Sequence, residues 1–492
     1  MRVLLSFVGD VNTYSVFAEH FRSTVAPAGR TGIITPTGLA TDATTAAFFA
    51  EALRSKRLAA FYDFENEAKI FAGVDHRVRF AISSMTGGEQ IREVRLGFLI
   101  RHVVDALSRR FALAAEEILL LNPNTGTLPL FRTRHDAEIT LSCYSRHPIL
   151  VRDGAAEGNP WGLRFARLFD MANDSGSFIT SDALTAQGTK FDGWAWHSAA
   201  DAWLPLYEAK MLSHWNHRFS TYAGATQAQL NVGSLPRLNE RQLDDPAVEP
   251  RARYWVAAET VAMAVPANWD RDWFLGWRDI ARASDVRTFV PSVLPKTAVG
   301  NKFPIAITAQ PDSAPLLQAV WSSLVFDYVA RQKLSGSGMT YFIVKQLACP
   351  VPSAFDSQPA WCNTSLDAFV RPRVLELTYT SNHIQPYAVD VVGGDPGVPY
   401  RWIPGRRDQM RAELEAAMLL LYGLDCEDTE HVLDSFPIVR RYEERDHSEF
   451  RTKRLVLAAY DAMTSAVATG VAFVSPLDPP PGEGPRHEEK TS

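Results

Sequence analysis

The sequence predicts an α/β chain that opens with part of a mostly parallel, helix-flanked sheet and continues as a mixed α+β region. Three observations predict it. Short β-type runs at 31–36, 58–64 and 78–83 follow stretches with apolar residues at helical spacing, the alternation that builds parallel sheets. Beyond about residue 90 helices and short strands mix without that regularity. The 492 residues are 46% apolar and 22% charged, a globular composition sufficient for two or three cores at about 150 residues each.

In chain order, Tyr14, Phe17, Phe21 and Val25 give residues 12–26 one apolar helical side, ended by Pro27-Ala28-Gly29. Thr31-Gly32-Ile33-Ile34-Thr35-Pro36 reads as a short buried strand. Residues 42–54 suit a helix capped by Thr41 or Asp42, with Phe48, Phe49 and Leu53 on one side. Leu58–Phe64 and Val78–Ser83 are the next strands, and a helix is expected at 97–110. A tryptophan-rich stretch follows (Trp194, Trp196, Trp203, Trp215), then helices near 315–334, 407–422 and 451–468. Divisions fall at 1–90, 91–200 and 201–470. The tail 471–492, with Pro479-Pro480-Pro481-Gly482, is expected to be disordered.

No apolar run reaches the roughly 18 residues of a membrane helix, and the opening Met1–Phe7 stretch is too short for a secretory signal. Cys143, Cys349, Cys362 and Cys426 form no CxxC pair, which argues against a disulfide framework or zinc site and fits the cytoplasm. A net charge of −6 excludes a uniform basic coat while leaving room for a local basic face.

Six runs carry a resemblance. They are Gly9-Asp10-Val11-Asn12-Thr13-Tyr14-Ser15-Val16-Phe17, Gly29-Arg30-Thr31-Gly32-Ile33-Ile34-Thr35-Pro36-Thr37-Gly38, Phe61-Tyr62-Asp63-Phe64-Glu65-Asn66, Leu204–Met211, Trp277–Asp285 and Tyr341–Leu347. In this order, over about residues 8 to 465, the chain resembles the large TaqI-type adenine-specific DNA methyltransferases of single-chain restriction–modification enzymes and related phage-defence systems. The resemblance implies a partial Rossmann-like methyltransferase sheet at 1–90, the back half of a catalytic core. A connecting region at 91–200 and a target-recognition, DNA-binding region at 201–470 follow.

That family places a cofactor motif and an Asn-Pro-Pro-aromatic catalytic motif ahead of these runs. Asn122-Pro123-Asn124, Asn159-Pro160-Trp161 and Asp478-Pro479-Pro480-Pro481 each depart from the second motif. The glycine-rich Val391–Gly397 lies late in the chain and contains a proline. No catalytic, cofactor or metal residue is therefore assigned. S-adenosylmethionine is expected for the complete enzyme and not for this chain alone. The implied partners are double-stranded DNA and an upstream-encoded front half of the methyltransferase, with no membrane.

Adenine methylation requires the base outside the stack. By its place after the Tyr62-Asp63-Phe64 strand, the resemblance makes Phe71 the base-stacking candidate. A core role for Phe71 fits the residues as well. DNA-contact candidates are Lys210, His214, His217 and Arg218 beside Trp215 and Phe219, then Arg278, Arg282, Arg287, Lys296 and Lys302, and finally Lys345. The neighbours Arg278–Asp279 and Asp285–Arg287 serve equally as structural ion pairs. Two other readings stay open: a non-catalytic DNA-binding specificity module, and a decayed fragment.

Overall fold

The computed structural model describes Leu5, residues 11–334 and residues 336–488. Gly9 and Asp10 of the first resembling run lie outside them. The chain divides into two compact units: residues 1–158 with 329–337 and 342–348, and the remainder.

The first unit is built on a five-stranded mixed sheet. Its strands are β1 (Arg30–Pro36), β2 (Leu58–Glu65), β3 (Arg79–Thr86), β4 (Glu93–Ile100) and β5 (Phe111–Ala114), in the order β1-β3-β2-β4-β5. Only β2 and β4 pair in parallel, whereas β3 runs antiparallel between β1 and β2. The expectation of a mostly parallel sheet is thus corrected. A parallel neighbour needs a crossover, usually helical, and the link from β2 to β3 is a loop with one short 3-10 turn, so the chain folds straight back. Helix Ala46–Arg54 buries Phe48, Phe49 and Leu53 as expected, whereas helix Thr13–Thr24 leaves Phe17 and Phe21 exposed.

The helix expected at 97–110 is absent. Val94, Leu96, Phe98 and Ile100 alternate inward with a period of two, which makes the segment strand β4, and Val103–Ala106 forms a short 3-10 turn. Because β4 and β5 complete the first sheet, the boundary expected at residue 90 cuts through one structural layer.

The second unit holds two sheets. In the first, β7 (Lys190–Phe191), β8 (Trp196–His197), β9 (Ala202–Tyr207) and β10 (Trp255–Ala257) form a meander. In the second, β6 (Arg164–Ala166), β11 (Trp273–Trp277), β12 (Pro291–Pro295) and β14 (Ile305–Ile307) pair antiparallel. β13 (Ala298–Val299) joins β9 in parallel. Trp277, Trp321, Phe289 and Phe326 interlock edge to face over the second sheet. Helices Ala314–Ser322, Leu366–Thr378, Pro404–Leu421 and Arg451–Thr469 complete this core.

The proline-rich tail is not disordered between 471 and 488. Prolines without an N–H still offer carbonyls, and Arg406 donates to Pro479 O and Pro480 O at 2.5 and 2.9 Å. Gly482 N donates to Glu376 at 2.8 Å, and Arg486 lies 3.8 Å over the Tyr400 ring. Phe473 packs on Trp361 and Phe369.

The first sheet closes around one buried carboxylate. Asp63 in β2 accepts from Thr37 Oγ1 at 2.6 Å, from Leu99 N at 3.0 Å and from the Arg79 guanidinium. Replacing Asp63 by Ala removes the partner of a mostly buried guanidinium and is expected to cost about 3–5 kcal/mol. Urea unfolding measures it, and a loss within error of zero contradicts this account.

Candidate nucleic-acid interface

The carboxyl ends of β1, β2 and β4 lie together, the end at which open α/β sheets gather functional groups. Immediately after β2, the fully buried Asn66 shapes the loop to β3. Its side-chain amide donates to Phe71 O and Val74 O at 3.0 Å each, and its Oδ1 accepts from Phe71 N at 2.9 Å. Phe71 is thereby held at the surface, 39% exposed, with its edge on Phe80 at 4.8 Å. Phe80 in turn stacks on Phe64 at 5.1 Å. The ring is braced by this aromatic pair and remains accessible.

Beside this end opens a cleft of about 620 Å3 lined by Arg101, Arg109, Arg110, Arg132, Arg134 and Glu65, among others. None of these arginines was singled out from sequence. A helix through 97–110 would have dispersed the first three, and the available signal was the Arg109-Arg110 pair.

The motif look-alikes have structural duties. The Asn122 amide donates to Thr127 O and Oγ1 at 2.9 and 3.0 Å. Asn124 bridges Val151 O and Asp153 N. Asn159 closes a turn on Leu163 with both side-chain atoms. Val391–Gly397 follows no strand: it ends helix Gln385–Val392, with Gly393 as a left-handed cap (φ 68°). A helix C-terminus presents carbonyls rather than a cradle of amides. These residues do not fit S-adenosylmethionine, and no step is derived through it.

The predicted DNA-contact residues separate by burial. Arg218 is fully buried, and its guanidinium donates to the carbonyls of Leu243, Asp245, Val248 and Thr380. His217 is buried beside Ser381 and Glu249 at 3.2 and 3.3 Å. Arg287 is spent on Asp327 at 2.7 Å and on the carbonyls of Ser322 and Ser323. These three are corrected to scaffold residues: Arg218 and Arg287 are cations that must use their donors internally in a low-dielectric interior, and burial lowers the pKa of His217, which bonds within the core. Arg278 donates to Leu212 O and lies over the Phe219 ring at 5.6 Å, and burial pushes its pKa down to about 10. Lys210, half-buried, pairs with Glu208 at 3.3 Å, and Lys345 in the first unit pairs with Asp153 at 3.0 Å.

Arg282 and Lys302 do reach the surface. Lys302 and Arg167 both approach the buried carboxylate of Asp279, at 3.8 and 3.1 Å, which fixes a small basic face beside exposed Ile280. Lys296 pairs loosely with Asp272 at 3.5 Å.

His214 lines a different feature of the second unit, a cavity of about 520 Å3 that also meets Arg407, Arg411, Glu415 and Arg451. Burial, with Arg287 and Arg411 nearby, pushes the His214 pKa well below the usual histidine value, so it stands neutral and bonds Phe289 O at 2.9 Å. Burial raises the Glu415 pKa from 4.5 to about 7. A carboxyl with a raised folded pKa favours folding in its protonated form. Its contribution is complete below pH 4.5 and is lost as pH rises through about 7. The wild type is therefore expected to lose on the order of 2 kcal/mol relative to Glu415→Gln between those limits. Unfolding both proteins in urea at pH 5 and pH 8 checks it, and an unchanged difference refutes it.

No known family matches the chain, and no curated protein matches it. Solved structures similar to it include three restriction–modification proteins. One is the Type IIL enzyme MmeI in complex with DNA, at 12% identity over 94% of this chain and 54% of that one, TM-score 0.41. Another is the Type IIG restriction endonuclease BpuSI, at 11% identity over 86% and 50%, TM-score 0.27. The third is the ATP-dependent Type ISP enzyme LlaBIII bound to DNA, at 7% identity over 68% and 25%, TM-score 0.31. The chain spans about half the length of the first two.

Proposed function

We propose that this chain is part of an adenine-specific DNA methyltransferase of a restriction–modification or phage-defence system. In this reading it grips the duplex and braces an everted adenine, while the methyl donor is held by polypeptide outside these residues. The observation that carries the reading is Phe71: a ring held half-exposed by Asn66 directly after a strand bearing the resembling Phe61–Asn66 run.

The physical role follows from that placement. A base outside the duplex loses its neighbours, and an aromatic face restores stacking worth about 1–3 kcal/mol. Phe71 is braced edge-on by Phe80, so its ring is positioned before any base arrives. Preorganisation of this kind avoids ordering the ring at the moment of capture.

Support for a completing polypeptide comes from the opposite edge. Among the described residues β1 has a partner strand, β3, on one edge and none on the other. Ile34 on β1, with Phe17 and Phe21 on the neighbouring helix, is exposed. An unpaired strand beside apolar side chains is a surface that proteins cover.

The test is methyl transfer from S-adenosylmethionine to unmethylated plasmid DNA, with the chain alone and with the product of the preceding reading frame. The chain alone is expected to give none and the pair to give N6-methyladenine. Phe71→Ala is expected to lower the paired activity about tenfold, with Phe71→Trp retaining it. Methylation by the isolated chain, or none by the pair, rejects the proposal.

A further inference from the structure

We infer that the arginine-lined cleft of the first unit holds phosphates of duplex DNA, and that the exposed Val103–Leu107 segment beside it enters the adjacent groove. The inference deepens the DNA-binding reading above and rests on it.

Composition comes first. Five arginines, Arg101, Arg109, Arg110, Arg132 and Arg134, share the cleft with the single carboxylate Glu65. Arg101 is paired with Glu65 at 2.8 Å and Arg134 with Glu138 at 2.7 Å. Arg109 spends one donor on Leu99 O at 3.3 Å. The guanidinium groups of Arg110 and Arg132 bond to none of the described residues, and both side chains are exposed. Like charges gathered without counter-charges repel one another, and a polyanion relieves that repulsion. Each guanidinium offers five donors in a planar fork suited to phosphate oxygens.

The cleft is also shaped. Leu99 stands at its wall with φ 53°, a left-handed conformation that an unbranched glycine would adopt more cheaply. It is held there by its N–H on buried Asp63 and its carbonyl on Arg109. The strained turn redirects the chain out of β4, so that Arg101 and the 103–107 segment leave the sheet at the end where Phe71 stands.

Chemistry identifies the occupant. Between Arg101 and Arg109 the chain exposes Val103, Val104 and Leu107 at 64%, 83% and 72%. Short apolar side chains next to arginines are the combination with which proteins enter a DNA groove while holding its backbone. A free nucleotide would need a stacking wall, and the one aromatic here, Phe111, is buried in the sheet. The same apolar and basic pairing also suits an anionic membrane surface, so the experiment carries that arm.

The experiment uses the full chain and a labelled duplex of about 30 base pairs, with anisotropy read over about 50–300 mM salt. Against the wild type it sets the triple variant Arg109→Gln, Arg110→Gln, Arg132→Gln and the double variant Val104→Ser, Leu107→Ser. The triple variant is expected to bind at least tenfold more weakly at low salt, with a slope of log K against log salt shallower by about 2–3. The double variant is expected to weaken binding without changing the slope. Vesicles containing phosphatidylserine are expected to bind neither variant nor wild type. The double variant's thermal unfolding midpoint should match the wild type, since Val104 and Leu107 are exposed, and the triple variant's should fall only by the single hydrogen bond from Arg109 to Leu99 O. A wild type that binds no duplex overturns the DNA reading itself. A wild type that binds while the triple variant keeps its affinity and slope overturns this site alone, as does arginine-dependent binding to the vesicles without an effect on duplex.

Discussion

The buried Asp63 carboxylate is the constraint on which the first unit depends. β3 lies antiparallel between β1 and β2, so the ends of β1 and β2 meet the start of β3, where Arg79 stands. A guanidinium there has little water, and Asp63 supplies its counter-charge while also accepting from Thr37 after β1 and Leu99 within β4. One side chain thus ties four strands at a single end. Everything with functional promise in this unit is referenced to it: the Asn66 loop that presents Phe71, the left-handed turn at Leu99 and the cleft beyond. Buried charge is weak evidence for stability in general, but here its geometry fixes which backbone segments converge.

The second unit uses cations in the opposite way. Arg218, Arg373, Arg406 and Arg407 are buried, and each is engaged by carbonyls, carboxylates or an aromatic face. Their role is to satisfy loops and turns that no sheet satisfies, including the proline-rich tail whose carbonyls Arg406 collects. A long irregular segment can pack in this manner only where something donates to its backbone oxygens. This is why composition misjudged the tail: the donors lie some seventy residues upstream of it.

The sequence made the strands β1, β2 and β3 and the helices at 314–333, 404–421 and 451–469 legible, because apolar period and turn residues agree there. It failed at 93–100, where Val94, Leu96, Phe98 and Ile100 alternate but the neighbouring Val103, Val104 and Leu107 suggest a longer apolar stripe. Those last side chains face water, which no local pattern signals. The candidate site was partly legible. Phe71 sits at the surface after its strand, whereas His217, Arg218 and Arg287 were misread because adjacency of basic and aromatic residues does not distinguish a wet face from a packed hinge. The cleft was not legible, since residues 101–110 and 132–134 meet only through the sheet.

Two exposed apolar surfaces remain in the first unit, and their charge environments separate what each is suited to meet. Around β1 and its helix the nearby cations are neutralised: Arg22 pairs with Glu51, and Arg30 with Glu89. A surface of apolar side chains and balanced charge, on a strand edge without a partner strand among the described residues, gains from covering by polypeptide, which can bury Ile34, Phe17 and Phe21 together. Around Val103, Val104 and Leu107 the charge is unbalanced, with Arg110 and Arg132 uncompensated among the described residues. A protein partner there would have to bring its own carboxylates into register with three separate segments, whereas a nucleic-acid backbone supplies regularly spaced anions at no such cost. The same sheet therefore carries one apolar edge of balanced charge and one end of uncompensated cations, and Asp63 lies between them.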